Sequence, residues 1–137
     1  MEVIATADEV QKLIQKHATV TFLLFSESRS NPIRMTTDIP AKWILDGPMK
    51  PIEGKADKGE FFAFQIGVYA ARREVAGLRL SMSDLHSKAG ETIPSSAFSS
   101  FNTEGTDWQG KSFEKSLRIG QGPVQALWMG ILVPETA

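Results

Sequence analysis

Glu104 and Asp107, beside Trp108 in a loop rich in Gly and Asn, are the acidic residues of this chain with the best prospect of chemistry. A glycosidase needs two carboxylates about 5–10 Å apart across the scissile bond, and this set has the right residue types. An acid in a loop next to Trp, however, more commonly forms a turn or lies at a rim. We therefore predict no catalytic residue in this loop.

The same loop contains the residue types of a carbohydrate-binding site. An exposed indole can stack on the apolar face of a pyranose, while amide and carboxylate groups bond to its hydroxyls. The candidate residues are Trp108, Asp107, Asn102 and Gln109, with Trp43 as a second aromatic candidate in a Pro-rich segment. An aromatic in such a segment more commonly plugs the end of a core, so both interpretations of Trp43 stay open.

Other reactive constellations are missing from the sequence. The chain has no cysteine, and its two histidines, His17 and His86, lie far apart without the spacing of metal ligands. The Gly-rich segment 120–123 ends in Pro123, which removes an N–H donor, so it resembles a turn more than a phosphate loop. We predict no metal site and no cofactor.

Charge and hydropathy exclude two classes of partner. Lys and Arg number 15 against 16 Asp and Glu, and the positive charges are scattered, so nucleic acid is not an expected partner. The longest apolar stretch near the start, Val20 to Phe25, is far shorter than the roughly 20 residues of a membrane span. We expect no membrane partner.

The first element that would position these residues is a helix. Thr6 and Glu9 have the spacing of a capping box, and apolar residues then recur with helical period through residues 7–18. A strand over 19–25 follows, and the Ser-, Asn- and Pro-rich segment from Ser26 to Pro32 ends it. The segment 40–51 contains three prolines and is predicted to be an extended connection.

Strand patterns dominate the rest of the chain. Residues 59–70 alternate with period two and are apolar on both faces, and a hairpin through 71–74 is predicted to join them to a strand from Val75. Phe113, Leu117 and Ile119 indicate one further strand. These patterns predict an all-β fold, an antiparallel β-sandwich with one short N-terminal helix.

The last predicted strand, residues 124–133, is apolar on both faces and therefore needs cover on both sides. We expect the chain to be truncated at its C-terminal end, directly after this strand. The face with Leu127, Met129, Ile131 and Val133 would then be incompletely covered, and the prediction is that it mediates self-association.

Four segments of the chain match a known family in their motifs. They are Asn31-Pro32-Ile33-Arg34-Met35, Gly59-Glu60-Phe61-Phe62-Ala63-Phe64-Gln65, the loop from Phe101 to Gly110, and the ending Gln125-Ala126-Leu127-Trp128-Met129-Gly130-Ile131-Leu132-Val133-Pro134. Together they resemble the β-sandwich domain that precedes the barrel in glycoside hydrolase family 123-like proteins, which are common among Bacteroides-type gut bacteria.

The resemblance implies a role for the chain. Residues 31–137 would form a non-catalytic accessory domain that packs on the catalytic barrel of the same parent protein, and residues 1–30 would add a helix and a first strand. The parent would be secreted, periplasmic or at the cell surface. The family's hydrolysis of N-acetylhexosaminides uses an adjacent Asp-Glu pair in the barrel. Asp8-Glu9 is the acidic dipeptide here, and the helix cap explains it, so no catalytic residue transfers.

Overall fold

The computed structural model describes residues 2–136 of the chain. Within these residues the elements are α1 (Ala7–Lys16), β1 (Leu23–Ser28), α2 (Ala41–Asp46), β2 (Phe61–Tyr69), β3 (Val75–Leu78), β4 (Leu85–His86), β5 (Thr92–Ile93), a 3-10 turn (Ser95–Ala97), β6 (Phe98–Ser100), β7 (Glu104–Thr106), β8 (Ser112–Glu114), β9 (Leu117–Ile119) and β10 (Val124–Leu132). The prediction of an all-β, antiparallel fold with a short N-terminal helix is confirmed. No helix in this part of the chain has the length and apolar character that a bilayer crossing requires.

A four-stranded antiparallel sheet in the order β1-β2-β10-β6 forms the centre of the molecule. The long strands β2 and β10 pair over nine residues, from Phe61 opposite Leu132 to Tyr69 opposite Val124. Strand β1 pairs with the other edge of β2 over six residues. The two long strands are therefore internal strands of the sheet, as their apolar character on both faces predicts.

One face of this sheet is covered by the helices. Helix α1 begins with the predicted capping box, in which Thr6 and Glu9 exchange hydrogen bonds. The buried residues of this layer form one cluster: Ala5, Leu13, Leu23, Phe25, Ile39, Trp43, Tyr69, Ala71 and Val124. A helix of about three turns is marginal in water by itself, so this burial is what holds α1 in place.

The opposite face of the sheet is covered by a short antiparallel ladder of β3 and β9. Its buried cluster consists of Phe64, Val68, Ala70, Val75, Ile119, Leu127 and Met129. The prediction that the last strand leaves this face open is wrong for Leu127 and Met129, which are 2% and 1% exposed. The chain itself supplies their cover, and Ile131 and Val133 alone of the predicted set stay partly exposed.

Two predictions about the strands need correction. β3 does not form a hairpin with β2, because both edges of β2 are already occupied by β1 and β10, and β3 pairs with β9 instead. The single strand predicted through Phe113 to Ile119 is divided in two, since β8 pairs with β7 and β9 pairs with β3. Strand β1, which lies within the predicted segment 1–30, belongs to the main sheet.

The Pro-rich segment predicted as an extended connection contains helix α2. Pro40 is the N-cap residue, where the missing N–H of proline costs nothing, and Gly47 ends the helix with φ of 77°. Burial stabilises this helix, because it carries Trp43 into the cluster between the helices and the sheet, where this side chain is 2% exposed. Tertiary packing thus overrides the local preference of a segment with three prolines.

Candidate functional site: an aromatic face on the main sheet

The helices cover only part of their face of the sheet, and large apolar side chains remain exposed on the rest of it. Phe61 on β2 and Leu132 on β10 are opposite each other and are 41% and 54% exposed. The ring of Phe61 lies over Gly130, where a side chain would collide with it. An aromatic ring in contact with solvent therefore covers this end of the sheet.

Phe101 extends this apolar surface beyond the edge of β10. Its ring meets that of Phe61 edge to face, with centroids 6.0 Å apart, and it is 59% exposed. The backbone N–H of Phe101 donates to the carbonyl of Trp128 at 3.0 Å, which fixes the residue to the sheet. The backbone position of Phe101 is therefore set by its pairing with β10.

The β7–β8 hairpin adds one more aromatic residue. Phe113 on β8 is 44% exposed and lines, together with Phe101, an open groove of about 720 Å³ beside the hairpin. We call the set Phe61, Phe101, Phe113 and Leu132 the aromatic face. Contiguous exposed apolar residues of this size usually mark an interaction surface, since single exposed hydrophobics are common but clusters are not.

The sugar-binding residues proposed from sequence lie mainly at the tip of this hairpin. The Asp107 carboxylate accepts hydrogen bonds from the backbone N–H groups of Gln109 and Lys111, both at 2.9 Å, so it builds the turn. Trp108, at the tip, is 91% exposed. Gln109 is exposed beside it. The tip thus presents one indole in a turn held by its neighbour.

Two other sequence candidates do not join this group. The side-chain oxygen of Asn102 accepts a hydrogen bond from the backbone N–H of Trp128 at 2.6 Å, so its amide is tied to β10. The proposal of Trp43 as an exposed binding platform is wrong, because its ring is buried and stacks on Phe25 with centroids 4.4 Å apart. Trp43 has the core role that the sequence left open as its alternative.

A buried polar network around Trp43 was missed from the sequence. The indole N–H of Trp43 and the ammonium group of Lys42 both donate to the Glu27 carboxylate at 2.8 Å. Glu27 itself is 6% exposed. The predicted first strand ended at Phe25, whereas β1 continues to Ser28. Continuing the Leu23, Phe25 alternation by two residues would have placed Glu27 on the buried face.

Glu27 and Lys42 of this network also line a cleft of about 710 Å³, together with Asn31, Arg34 and Asp46. The adjacent Gln65 is fully buried, and its side-chain oxygen accepts a hydrogen bond from the N–H of Ile33 at 2.9 Å. These bonds attach α2 and the segment after β1 to the sheet. The network is therefore structural, and it holds the cover of the helical face in place.

Within residues 2–136, no three His, Cys, Asp or Glu side chains are grouped closely enough to hold a metal ion. Phe61, Phe101, Phe113 and Leu132 were not singled out as a site from the sequence. The strand pattern of residues 59–70 includes Phe61, but the exposure of its ring depends on what covers that end of the sheet.

No protein-family model and no curated protein matches this sequence. Among solved structures, the chain is similar to a family 123 glycoside hydrolase from Clostridium perfringens, whose structure was analysed for glycolipid glycan hydrolysis. The sequence identity is 19% and the TM-score is 0.46. The match covers 58% of this chain and 16% of the hydrolase chain. A likeness this distant assigns neither family nor activity to the chain.

Proposed function

We propose that this chain is a non-catalytic all-β accessory domain of a larger glycoside hydrolase-like protein, and that it packs on a catalytic barrel through the aromatic face. The observation that carries the proposal is the exposure of Phe61, Phe101, Phe113 and Leu132, which are linked by a ring contact, a strand pairing and a shared groove. The sequence resemblance of residues 31–137 supports the choice of a barrel as the partner. A secreted, periplasmic or cell-surface location belongs to the same proposal.

The energetics of the aromatic face favour a macromolecular contact. Removing apolar surface from water contributes about 25 cal/mol per Å², and aromatic rings supply large areas at small entropic cost. The backbone of Phe101 is held by the sheet, and the ring of Phe101 meets the ring of Phe61 edge to face. A partner would therefore meet a Phe101 whose backbone is already ordered, which lowers the cost of association.

Calorimetric titration with a separately produced family 123 barrel tests the docking proposal. We expect saturable binding by the wild-type chain and at least a tenfold loss with the double substitution Phe101→Glu and Phe113→Glu. Leu45→Glu is the matched control, since Leu45 is also a large apolar residue, 86% exposed, but lies on α2. Absence of binding by the wild-type chain, or equal binding by the double variant, would contradict docking through this face.

The non-catalytic part of the proposal has its own test. The purified chain should show no turnover of aryl N-acetylhexosaminides or other aryl glycosides, because the Asp107 carboxylate is engaged in its turn. Hydrolysis that survives repurification and disappears with Asp107→Asn would refute it.

The exposure of Trp108 favours a second candidate function, carbohydrate binding at the hairpin tip. An indole that is 91% exposed in an ordered turn can stack on a sugar ring. Neutral oligosaccharides should then change the tryptophan fluorescence of the wild-type chain, and Trp108→Ala should abolish the change. Trp43 is buried and serves as an internal reference. An unchanged spectrum at saturating sugar would rule this candidate out.

A further inference from the structure

A pocket of about 380 Å³ lies where four segments of the chain, 79–82, 95–100, 103–104 and 114–115, converge beside the groove of the aromatic face. We call it the hydroxyl pocket. It is lined by Ser100 and Thr103 near the end of β6, by Glu104 on β7, by Phe98, and by the cationic side chains Arg79 and Lys115. Its volume falls within the range of about 300–1,000 Å³ that small-molecule sites occupy.

Two hydroxyl groups in this pocket are buried. Ser100 and Thr103 are 3% and 6% exposed, and the Thr103 hydroxyl donates to the Ser100 hydroxyl at 2.6 Å. A hydroxyl group carries one donor and two acceptor sites, so this single bond leaves the proton of Ser100 and acceptor sites on both oxygens for a further partner. Polar groups that are buried beside a pocket with unused capacity are typical of ligand sites.

A carboxylate completes the polar side of the pocket. One oxygen of Glu104 accepts a hydrogen bond from the Ser100 backbone N–H at 2.8 Å, which fixes the carboxylate next to the hydroxyl pair. This bond uses one of its two oxygens. The pocket lining thus combines donors and acceptors at fixed positions.

The charges and the apolar wall define the class of ligand. Two cations, Arg79 and Lys115, line the pocket together with two carboxylates, those of Glu104 and Glu114, so the lining has no net charge. Phe98, together with Leu80 and Met82, supplies an apolar wall. A ring with hydroxyls on its edge and an apolar face matches this combination. We propose that the hydroxyl pocket binds one pyranose unit of a neutral glycan.

The hydroxyl pocket adjoins the groove of the aromatic face, since Ser100, Glu104 and Glu114 line both. Ser100 is opposite Met129, whose side chain lies in the cluster covered by the β3–β9 ladder, so the buried part of the pocket is on the other side of the sheet from Phe61. The two proposals are tested with different ligands and different variants, so failure of one leaves the other standing.

Heteronuclear NMR of the whole chain tests the inference, with glucose, galactose, N-acetylglucosamine and N-acetylgalactosamine as separate probes at millimolar concentrations. We expect at least one of them to cause saturable shifts of the backbone amides of Ser100, Thr103 and Glu104. Thr103→Val, which keeps the shape and removes the hydroxyl, should weaken binding at least tenfold. Thr106→Val, at an exposed position of β7 outside this pocket, should bind as wild type does.

Glu104→Gln is a second test variant. It changes an exposed residue, whereas Thr103 is buried. The side-chain oxygen of the Glu104→Gln variant can still accept from the Ser100 N–H, so the fold should persist while the anionic acceptor is lost. We expect at least a tenfold weaker affinity here too. Absence of shifts with all four sugars, shifts confined to Trp108 and its neighbours, or unchanged affinity in Glu104→Gln would each overturn the proposal.

Discussion

Two halves of one face of the main sheet each place an aromatic ring over a strand glycine, but the ring is buried in one half and exposed in the other. In the covered half, the ring of Trp43 lies over Gly67, and in the open half, the ring of Phe61 lies over Gly130. Trp43 is 2% exposed, whereas Phe61 is 41% exposed. An aromatic ring over a strand glycine is therefore compatible with core and with surface. The presence of a covering element decides between the two.

The two rings differ in their polar contacts, since only Trp43 has a polar group that can attach its ring and its helix to the sheet. The Trp43 indole donates to the buried Glu27 carboxylate, and Lys42 on the same helix donates to that carboxylate as well. These bonds attach α2 to β1 above the sheet. Phe61 has no polar atom in its side chain, and its ring neighbour is another exposed ring, Phe101. The open half therefore stays in contact with solvent.

The largest expected effect comes from deleting each ring. Trp43→Ala should destabilise the fold by about 3–5 kcal/mol, since it removes a fully packed aromatic and leaves the Glu27 carboxylate with one partner fewer. Phe61→Ala should cost no more than about 1.5 kcal/mol, because much of that ring already contacts water. Urea denaturation monitored by circular dichroism measures both. Equal losses would mean that the two halves are not energetically distinct.

A second pair of substitutions compares the two halves by placing a methyl group under each ring. Gly67→Ala would push against the buried Trp43 indole, which has nowhere to move, and should cost about 1–3 kcal/mol. Gly130→Ala meets a ring that can swing into solvent, and its effect should stay within about 0.5 kcal/mol. Thermal unfolding of the two variants provides the measurement. A Gly130 variant as unstable as the Gly67 variant would show that Phe61 is rigidly held.

The smallest expected effect concerns helix α1, which covers the closed half. The Thr6 backbone N–H and hydroxyl both donate to the Glu9 carboxylate, and these bonds lower the pKa of Glu9 below 4.5. Because the pKa is lower in the folded state, the stabilisation is present above pH 4.5 and is lost as pH falls through the folded value. The stability difference between wild type and Glu9→Gln should shrink as the pH falls from 4.5 through the folded-state pKa of Glu9.

A chemical denaturation series from neutral to acidic pH checks this, with Glu2→Gln as the control. Glu2 lies in the same terminal segment but outside the capping box. A difference between wild type and Glu9→Gln that stays constant with pH would show that the capping carboxylate does not contribute through its charge.

Local pattern was sufficient for the elements that depend on neighbours in sequence. The capping box of Thr6 and Glu9 and the alternation of residues 59–70 predicted α1 and β2 correctly, because capping and period-two burial depend on residues a few positions apart. The interpretation of Asp107 as a turn former was also correct, since its hydrogen-bond partners are two and four residues away.

Pairing and exposure depended on contacts that no local pattern contains. β3 pairs with β9, some forty residues away, instead of with the adjacent β2. Trp43 and Trp108 were both candidates for exposed aromatics, and the docking of α2 against β1 buries the first. Glu104 drew notice as an acid near Trp108, but its hydrogen bond to the Ser100 N–H places it in the hydroxyl pocket instead.

The sequence alone therefore determined an all-β chain with a capped N-terminal helix and apolar central strands, because backbone period and capping are short-range properties. The tertiary structure decided which half of the sheet is covered, which tryptophan is exposed and which distant segments form a pocket. Those outcomes follow from packing between residues far apart in the chain, where burial of area competes with loop closure and with every alternative pairing.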